Sequence, residues 1–180
     1  GALRVDGKVY RFMGKDAPML VSLIPQETEI INGRKKNWTA PYTFQQPNGN
    51  WTAIDYDDTG WRVGEAPYGT SDISGVRTRW NTKDIWVRRS FELNEDLSQE
   101  NIIIQYSHDD IFELYLNGEK LVQTDYSWKN DVQIILSYNA KKKLKIGKNV
   151  IAAHCYNTTG GGLVDFNMFK KVDRKGFDAA

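Results

Sequence analysis

The chain carries a single cysteine, Cys155, in 180 residues, so no internal disulfide can brace the fold. Charge of one sign is also missing: 24 Lys and Arg stand against 23 Asp and Glu, a net +1. That excludes the basic excess a general nucleic-acid or anionic-membrane binder carries. No apolar run approaches the ~20 residues that span a bilayer, so no membrane insertion is expected. The start, GALRVDGKVYRFMG, lacks the apolar core of a signal peptide and does not begin with methionine. We expect a piece cut from a longer protein. Helix signals are almost absent: no window keeps an i, i+3, i+4, i+7 apolar face with a cap at each end.

Strand signals fill the space. KVYRFMG reads as a short strand ending at Gly14. From Lys15 to Asn50 the pattern is irregular, broken by Pro18, Pro25, Pro41 and Pro47. DIWVRRSFEL then puts Ile85, Val87, Arg89, Phe91 and Leu93 on one face and Trp86, Arg88, Ser90 and Glu92 on the other. NIIIQY is the short apolar run of a strand covered on both sides. In IFELYLNGEKLV, Phe112, Leu114 and Leu116 share a face, and Asn117-Gly118 supplies the two positive-φ positions of a type I′ hairpin turn. VQIILS, KKLKIGKNVIAAHCYN and GGGLVDFNMFKKV give the last strands. Short strands with a turn signal every ten residues or so predict an all-β sandwich or barrel. Lys141-Lys142-Lys143 reads as a solvated turn, Cys155 as a small buried hydrophobe, and Gly160-Gly161-Gly162 as a loop, since no helix follows to make a phosphate cradle.

The candidate chemistry centres on YSHDDIF. His108, Asp109 and Asp110 suggest a catalytic or metal site. A glycosidase needs two carboxyls facing each other ~5–9 Å apart, and neighbours along a strand point to opposite faces. No G-x-S-x-G elbow offers a nucleophile, and His108, His154 and Cys155 are too few for zinc. No catalytic residue is expected. One aspartate should cap the turn while the other makes a buried hydrogen bond or salt bridge. DYDDTG opens like a calcium loop, but its twelfth position is Ala66 where a glutamate belongs. No cofactor is expected; a structural calcium held by scattered loop oxygens stays open, and its ligands are unknown. Three sequons, at Asn37, Asn50 and Asn157, matter only in a eukaryotic secretory pathway.

Six tryptophans and nine tyrosines are many for this length. Trp38, Trp51, Trp61, Trp80 and Trp128 lie in turn-rich stretches. Exposed there, they could stack on sugar rings beside polar groups that fix the hydroxyls, or plug the sandwich and pack on a neighbouring domain. The ligand-binding candidates are Trp61, Trp80, Trp128, Asp110 and Arg88, the last sharing a strand face with Trp86.

The order YDDTGWRVGEAPYGT, TRWNTKDIWVRRSFEL, SHDDIFELYLNGEKL, GKNVIAAHCYNTTGGGLVDFNMF resembles the galactose-binding-domain-like jelly roll, the accessory β-sandwich also found as the sugar-binding domain of family 2 glycoside hydrolases. The resemblance runs from Asn50 to Lys170 and is carried by Trp86, Arg88, Arg89 and Phe91, by Asp109 to Gly118, and by Gly147 to Ala152. LRVDGKVYRFMG with NVIAAHCYNTTGGGLVDF resembles the N-terminal, non-catalytic region of Bacteroidetes glutaminase A-like proteins. It implies an all-β jelly roll over 50–172, with 1–49 as a preceding strand and linker packed on it and 173–180 as a tail into the next module. It also implies that Asp109-Asp110 is a recurring part of the sandwich. The implied role is a non-catalytic accessory module of an exported multi-domain hydrolase. Its partners would be the other domains of the parent chain, with carbohydrate as a further candidate. The alternative is a true carbohydrate-binding module acting through loop aromatics; a stand-alone enzyme is disfavoured.

Overall fold

A computed structural model describes residues 2–5, 8–11, 21–22, 26–33 and 36–172. Gly14 and the tail 173–180 lie outside the described residues.

Two sheets pack face to face as a β-sandwich. The first runs β13 (Trp128–Ile135), β10 (Asn101–Asp109), β15 (Leu163–Val172), β7 (Tyr68–Gly69) and β8 (Thr78–Arg79), with β4 (Gln26–Ile31) also paired to β15. The second runs β12 (Glu119–Gln123), β11 (Ile111–Leu116), β14 (Gly147–Tyr156), β9 (Asp84–Leu93), β5 (Thr39–Thr43) and β6 (Arg62–Glu65). Every pairing in the two is antiparallel except β7 with β8. A separate small sheet joins β1 (Ala2–Val5), β2 (Lys8–Arg11) and β3 (Val21–Ser22).

The core follows from period-two alternation. Phe112, Leu114 and Leu116 of β11, Ile85 and Val87 of β9, and Ile102 and Ile104 of β10 point inward and are fully buried. Each large aliphatic or Phe side chain so buried contributes about 1.5–3 kcal/mol. Ile103 points outward yet is also buried, opposite Phe169 on β15. That is why Ile102, Ile103 and Ile104 form an unbroken apolar run.

The β11–β12 hairpin turns at Asn117 (φ 48) and Gly118 (φ 86), the two left-handed positions the dipeptide predicts. Asn117 does more than turn. Its Oδ1 accepts from the Val150 amide at 2.8 Å, and its Nδ2 donates to Asn149 Oδ1 at 2.8 Å. Asn149 is itself fully buried and donates to the Lys145 and Gly147 carbonyls. The Y-L-N-G and G-x-N-V-I-A motifs therefore form one polar clamp between β11 and β14, with its buried groups paired as burial requires.

Two expectations are corrected. The segment read as irregular, Lys15 to Asn50, supplies two strands to the main sheets, β4 and β5. Pro41 sits inside β5 because β9 pairs only with Tyr42 and Thr43, leaving Pro41 beyond the ladder that needs its missing N–H. The lysine run is not a plain turn. Lys141 ends a four-residue helix, α1 (Tyr138–Lys141), capped by Ser137 Oγ accepting from the Ala140 amide at 3.2 Å. Lys142 and Lys143 stand exposed beyond it.

Candidate functional site

At the end of β10 the chain reads His108-Asp109-Asp110, and the structure gives each a different surrounding. His108 continues the inward set Ile102, Ile104, Tyr106. It is fully buried and stacks on Phe112 at 5.1 Å between centroids and on Tyr106 at 5.8 Å. Its Nδ1 lies 2.9 Å from the Asp110 carbonyl. A carbonyl only accepts, so Nδ1 carries the proton. Burial holds the imidazole below its usual range, hence neutral. It is a core residue.

Asp110 sits at the bend between β10 and β11 and is 4% exposed. Its Oδ2 accepts from the Thr158 amide at 2.8 Å and the Thr158 hydroxyl at 2.6 Å. Burial pushes this carboxyl up, but the bonds from Thr158, helped by Asp109, hold it below the ordinary range. Asp109 is the opposite case. Burial, the facing Asp110 carboxyl and the charge of Asp72 push it up to about 7. Strand alternation does not separate the two side chains as expected, because the chain bends at Asp110. The two carboxyls act on each other, Asp110 helping to raise Asp109 and Asp109 helping to lower Asp110.

Asp109 continues the outward set of β10. Across the sheet it pairs with Trp128 on one side and Leu163 on the other. All three line a cleft of about 640 Å³ on the outer face of the first sheet. Its rim is built by the loop that carries Asp72, Ile73 and Ser74, by Asn130, and by Gly161. Two short bonds hold the loops together: the Thr70 amide donates to the Gly162 carbonyl at 3.0 Å, and the Gly162 amide to Thr70 Oγ1 at 2.8 Å. Gly161 packs closely on this loop: a Cβ there would stand 2.7 Å from Ile73 Cδ1, which would have to shift. Trp128 opens β13, 59% exposed, with its ring against this space. An exposed indole beside carboxyl, amide and hydroxyl groups is the combination that stacks on a sugar ring and fixes its hydroxyls.

The other candidates lie elsewhere. Trp80 is fully buried in the core, beneath Gly162, and presents no surface. Its polar neighbours in sequence suggested a loop tip, but tertiary packing covers it. Arg88 is 1% exposed on the outer face of the second sheet. Its guanidinium pairs with Asp58 at 2.8 Å and donates to the carbonyls of Trp51, Ala53 and Tyr56. Those bonds fasten the 51–58 segment over the sheet and leave no donor facing solvent. Trp61 follows that segment, half-buried and edge-on to Tyr56 at 5.9 Å. Arg88 and Trp61 share Tyr56 as a neighbour on the second sheet; beside the cleft lie only Trp128, which lines it, and Asp110, which serves it by supporting Asp109. Asp109 was weighed from sequence only as a catalytic, metal or structural residue, and it, Asp72 and Asn130 were not among the ligand-binding candidates. For Asp109 the signal was available: counting alternate residues from Ile103 through Gln105 and Ser107 places it outward.

A second polar cluster lies on the outer face of the other sheet. His154 stacks on Trp86 at 4.5 Å, with Nε2 2.8 Å from Asp84 and Nδ1 3.4 Å from Glu113. Glu113 is also bonded by Lys120 at 2.7 Å. The cluster lacks a nucleophile. Among the described residues no group of three or more His, Cys, Asp or Glu is arranged to hold a metal ion.

No family model matches the sequence, and no curated protein matches it. Solved structures match the fold. A β-glucuronidase of glycoside hydrolase family 2 aligns over 80% of this chain at 18% identity and a TM-score of 0.55. A Bacteroides uniformis β-glucuronidase aligns over 81% at 14% identity and a TM-score of 0.58. A glycosyl hydrolase family 2 member from Bacteroides cellulosilyticus aligns over 82% at 12% identity and a TM-score of 0.55. This chain spans only 18%, 18% and 21% of those three chains. At such identity the likeness is one of fold.

Proposed function

We propose that the chain is a non-catalytic accessory β-sandwich, a galactose-binding-domain-like jelly roll that docks within a larger exported multi-domain hydrolase of the glutaminase A-like or glycoside hydrolase-like kind. The observation that carries this reading is the mismatch of coverage. The fold fills about four fifths of this chain but about one fifth of the family 2 glycosidases it resembles. The use of the polar residues supports it too. His108, Asp110 and Arg88, the groups most suggestive of chemistry, are buried and bonded within the fold. An acid-base pair must instead reach a substrate.

A second reading is favoured by one specific feature, the Trp128–Asp109 cleft. It makes the module a carbohydrate binder. Both readings predict no turnover of aryl glycosides, glucuronides included, by the purified chain. Turnover abolished by Asp109→Asn would make the module an enzyme. Thermal unfolding against mono- and oligosaccharides separates the two, because a ligand of the folded state raises the transition by mass action. A sugar-specific rise supports the binder; a flat panel leaves docking. The same scan with calcium and with chelator tests for a structural ion.

A further inference from the structure

We propose that the Trp128 cleft takes a neutral sugar, one with hydroxyls and an apolar ring face but no carboxylate. The inference rests on the carbohydrate-binding reading and adds the ligand's chemical class. Its basis is the composition of the wall. Trp128 supplies the stacking surface. Asp72, Asp109, Asn130 and Ser74 supply acceptors and donors, and Leu163 the apolar floor. The wall carries two carboxyl groups and no lysine, arginine or histidine.

Lys129 is the cation nearest in sequence, and strand alternation removes it. Trp128 and Asn130 point to the cleft, while Lys129 pairs with His108 and acts electrostatically on that buried ring. A uronic acid entering the cleft would meet Asp72 and Asp109 with nothing to neutralise it. Like charges in close juxtaposition are how binding sites reject a wrong partner. A neutral pyranose meets no such penalty. Burial and the neighbouring charges push Asp109 up to about 7, so at pH 7.5 it is largely a carboxylate, which accepts from sugar hydroxyls and repels a second carboxylate. Several solved structures that share this fold are β-glucuronidases; the wall of this cleft points away from an acidic sugar as its ligand.

Calorimetry on the 180-residue chain at pH 7.5 tests the proposal. The neutral probes are galactose, mannose, cellohexaose and xylohexaose; the acidic probes are glucuronic acid and tetragalacturonate. A neutral probe is expected to bind at least ~10-fold more tightly than any uronate. Trp128→Ala should remove that binding with an unchanged melting temperature, and Asp72→Asn should narrow the gap between neutral and acidic probes. A uronate binding as tightly, and lost in Trp128→Ala, overturns the neutral-sugar inference while the carbohydrate-binding reading stands. Neutral-sugar binding that survives Trp128→Ala places the site elsewhere and overturns it too. Silence from every probe sinks the carbohydrate-binding reading itself.

Discussion

Asp110 Oδ2 accepts two hydrogen bonds from the single residue Thr158, from its amide at 2.8 Å and its hydroxyl at 2.6 Å. This pair ties the β10–β11 bend to the loop between β14 and β15, the loop whose far end walls the Trp128 cleft. Hydrogen bonds to a charged group are worth about 1.5–3 kcal/mol each, and a buried donor left alone adds a desolvation penalty. Asp110→Ala should therefore destabilise the chain by about 2–4 kcal/mol in urea unfolding. Asp110→Asn keeps an acceptor in place and should lose about half as much. Equal losses for the two would mean that the charge, not the acceptor, holds the loop.

Arg88 makes the corresponding tie on the opposite sheet. One buried guanidinium serves Asp58 and the carbonyls of Trp51, Ala53 and Tyr56, and it lies over the Tyr56 ring at 5.0 Å. Removing one partner of a buried pair costs about 3–5 kcal/mol, since the other groups stay desolvated. Arg88→Met is expected to fall in that range and to open the 51–58 amides to hydrogen exchange ahead of the core. Arg88→Lys should recover little, because an ammonium lacks the planar fork that reaches several carbonyls at once. A sugar affinity altered by Arg88→Met with those amides still protected would contradict the structural role.

How far the sequence reached follows from what each signal measures. Alternation reports burial, so β9, β10, β11, β14 and β15 were legible, as was the Asn117-Gly118 turn. Pro41 misled because a proline breaks a strand only where its amide is needed, and the pairing of β5 with β9 stops at Tyr42. Trp80 misled because its neighbours are polar while its own cover, Gly162, comes from a loop distant in sequence. The pairing of Trp86 and Arg88 on one face was readable; the 51–58 segment that hides Arg88 was not, since no local pattern encodes which loop crosses a sheet. The cleft was half legible. Trp128 was marked by its type, but Asp72 joins it only through the Thr70–Gly162 contacts.

The two tryptophans give a direct contrast. Trp80 is fully buried and Trp128 is 59% exposed. Trp80→Ala should cost about 3–5 kcal/mol through a core cavity. Trp128→Ala touches no packed interior and should stay within about 0.5 kcal/mol of the parent. Thermal unfolding of the two variants checks this. A large fall for Trp128→Ala would mean that its ring closes the end of the sandwich, and would remove the main support for a ligand there.

Asp109 makes the stability of the module depend on pH in a way opposite to an ordinary salt-bridged aspartate. Burial, Asp110 and Asp72 push its carboxyl in the folded chain up to about 7, from an ordinary value of 3.8. Between those two values the folded state holds more protons than the unfolded state, so stability falls as pH rises. The favourable contribution is complete below pH 3.8 and is lost by the time the pH has passed about 7. Asp109→Asn carries no charge at any pH and escapes the loss. Allowing for solvent screening at this partly exposed group, the variant should exceed the parent by roughly 1–2 kcal/mol at pH 8.5. That corresponds to a rise of about 2–8 °C in melting temperature for a domain of this size. Near pH 4 the two should coincide. A difference that stays flat from pH 4 to pH 8.5 would show that Asp109 ionises as it does in the unfolded chain, and that neither Asp110 nor Asp72 acts on it across the cleft.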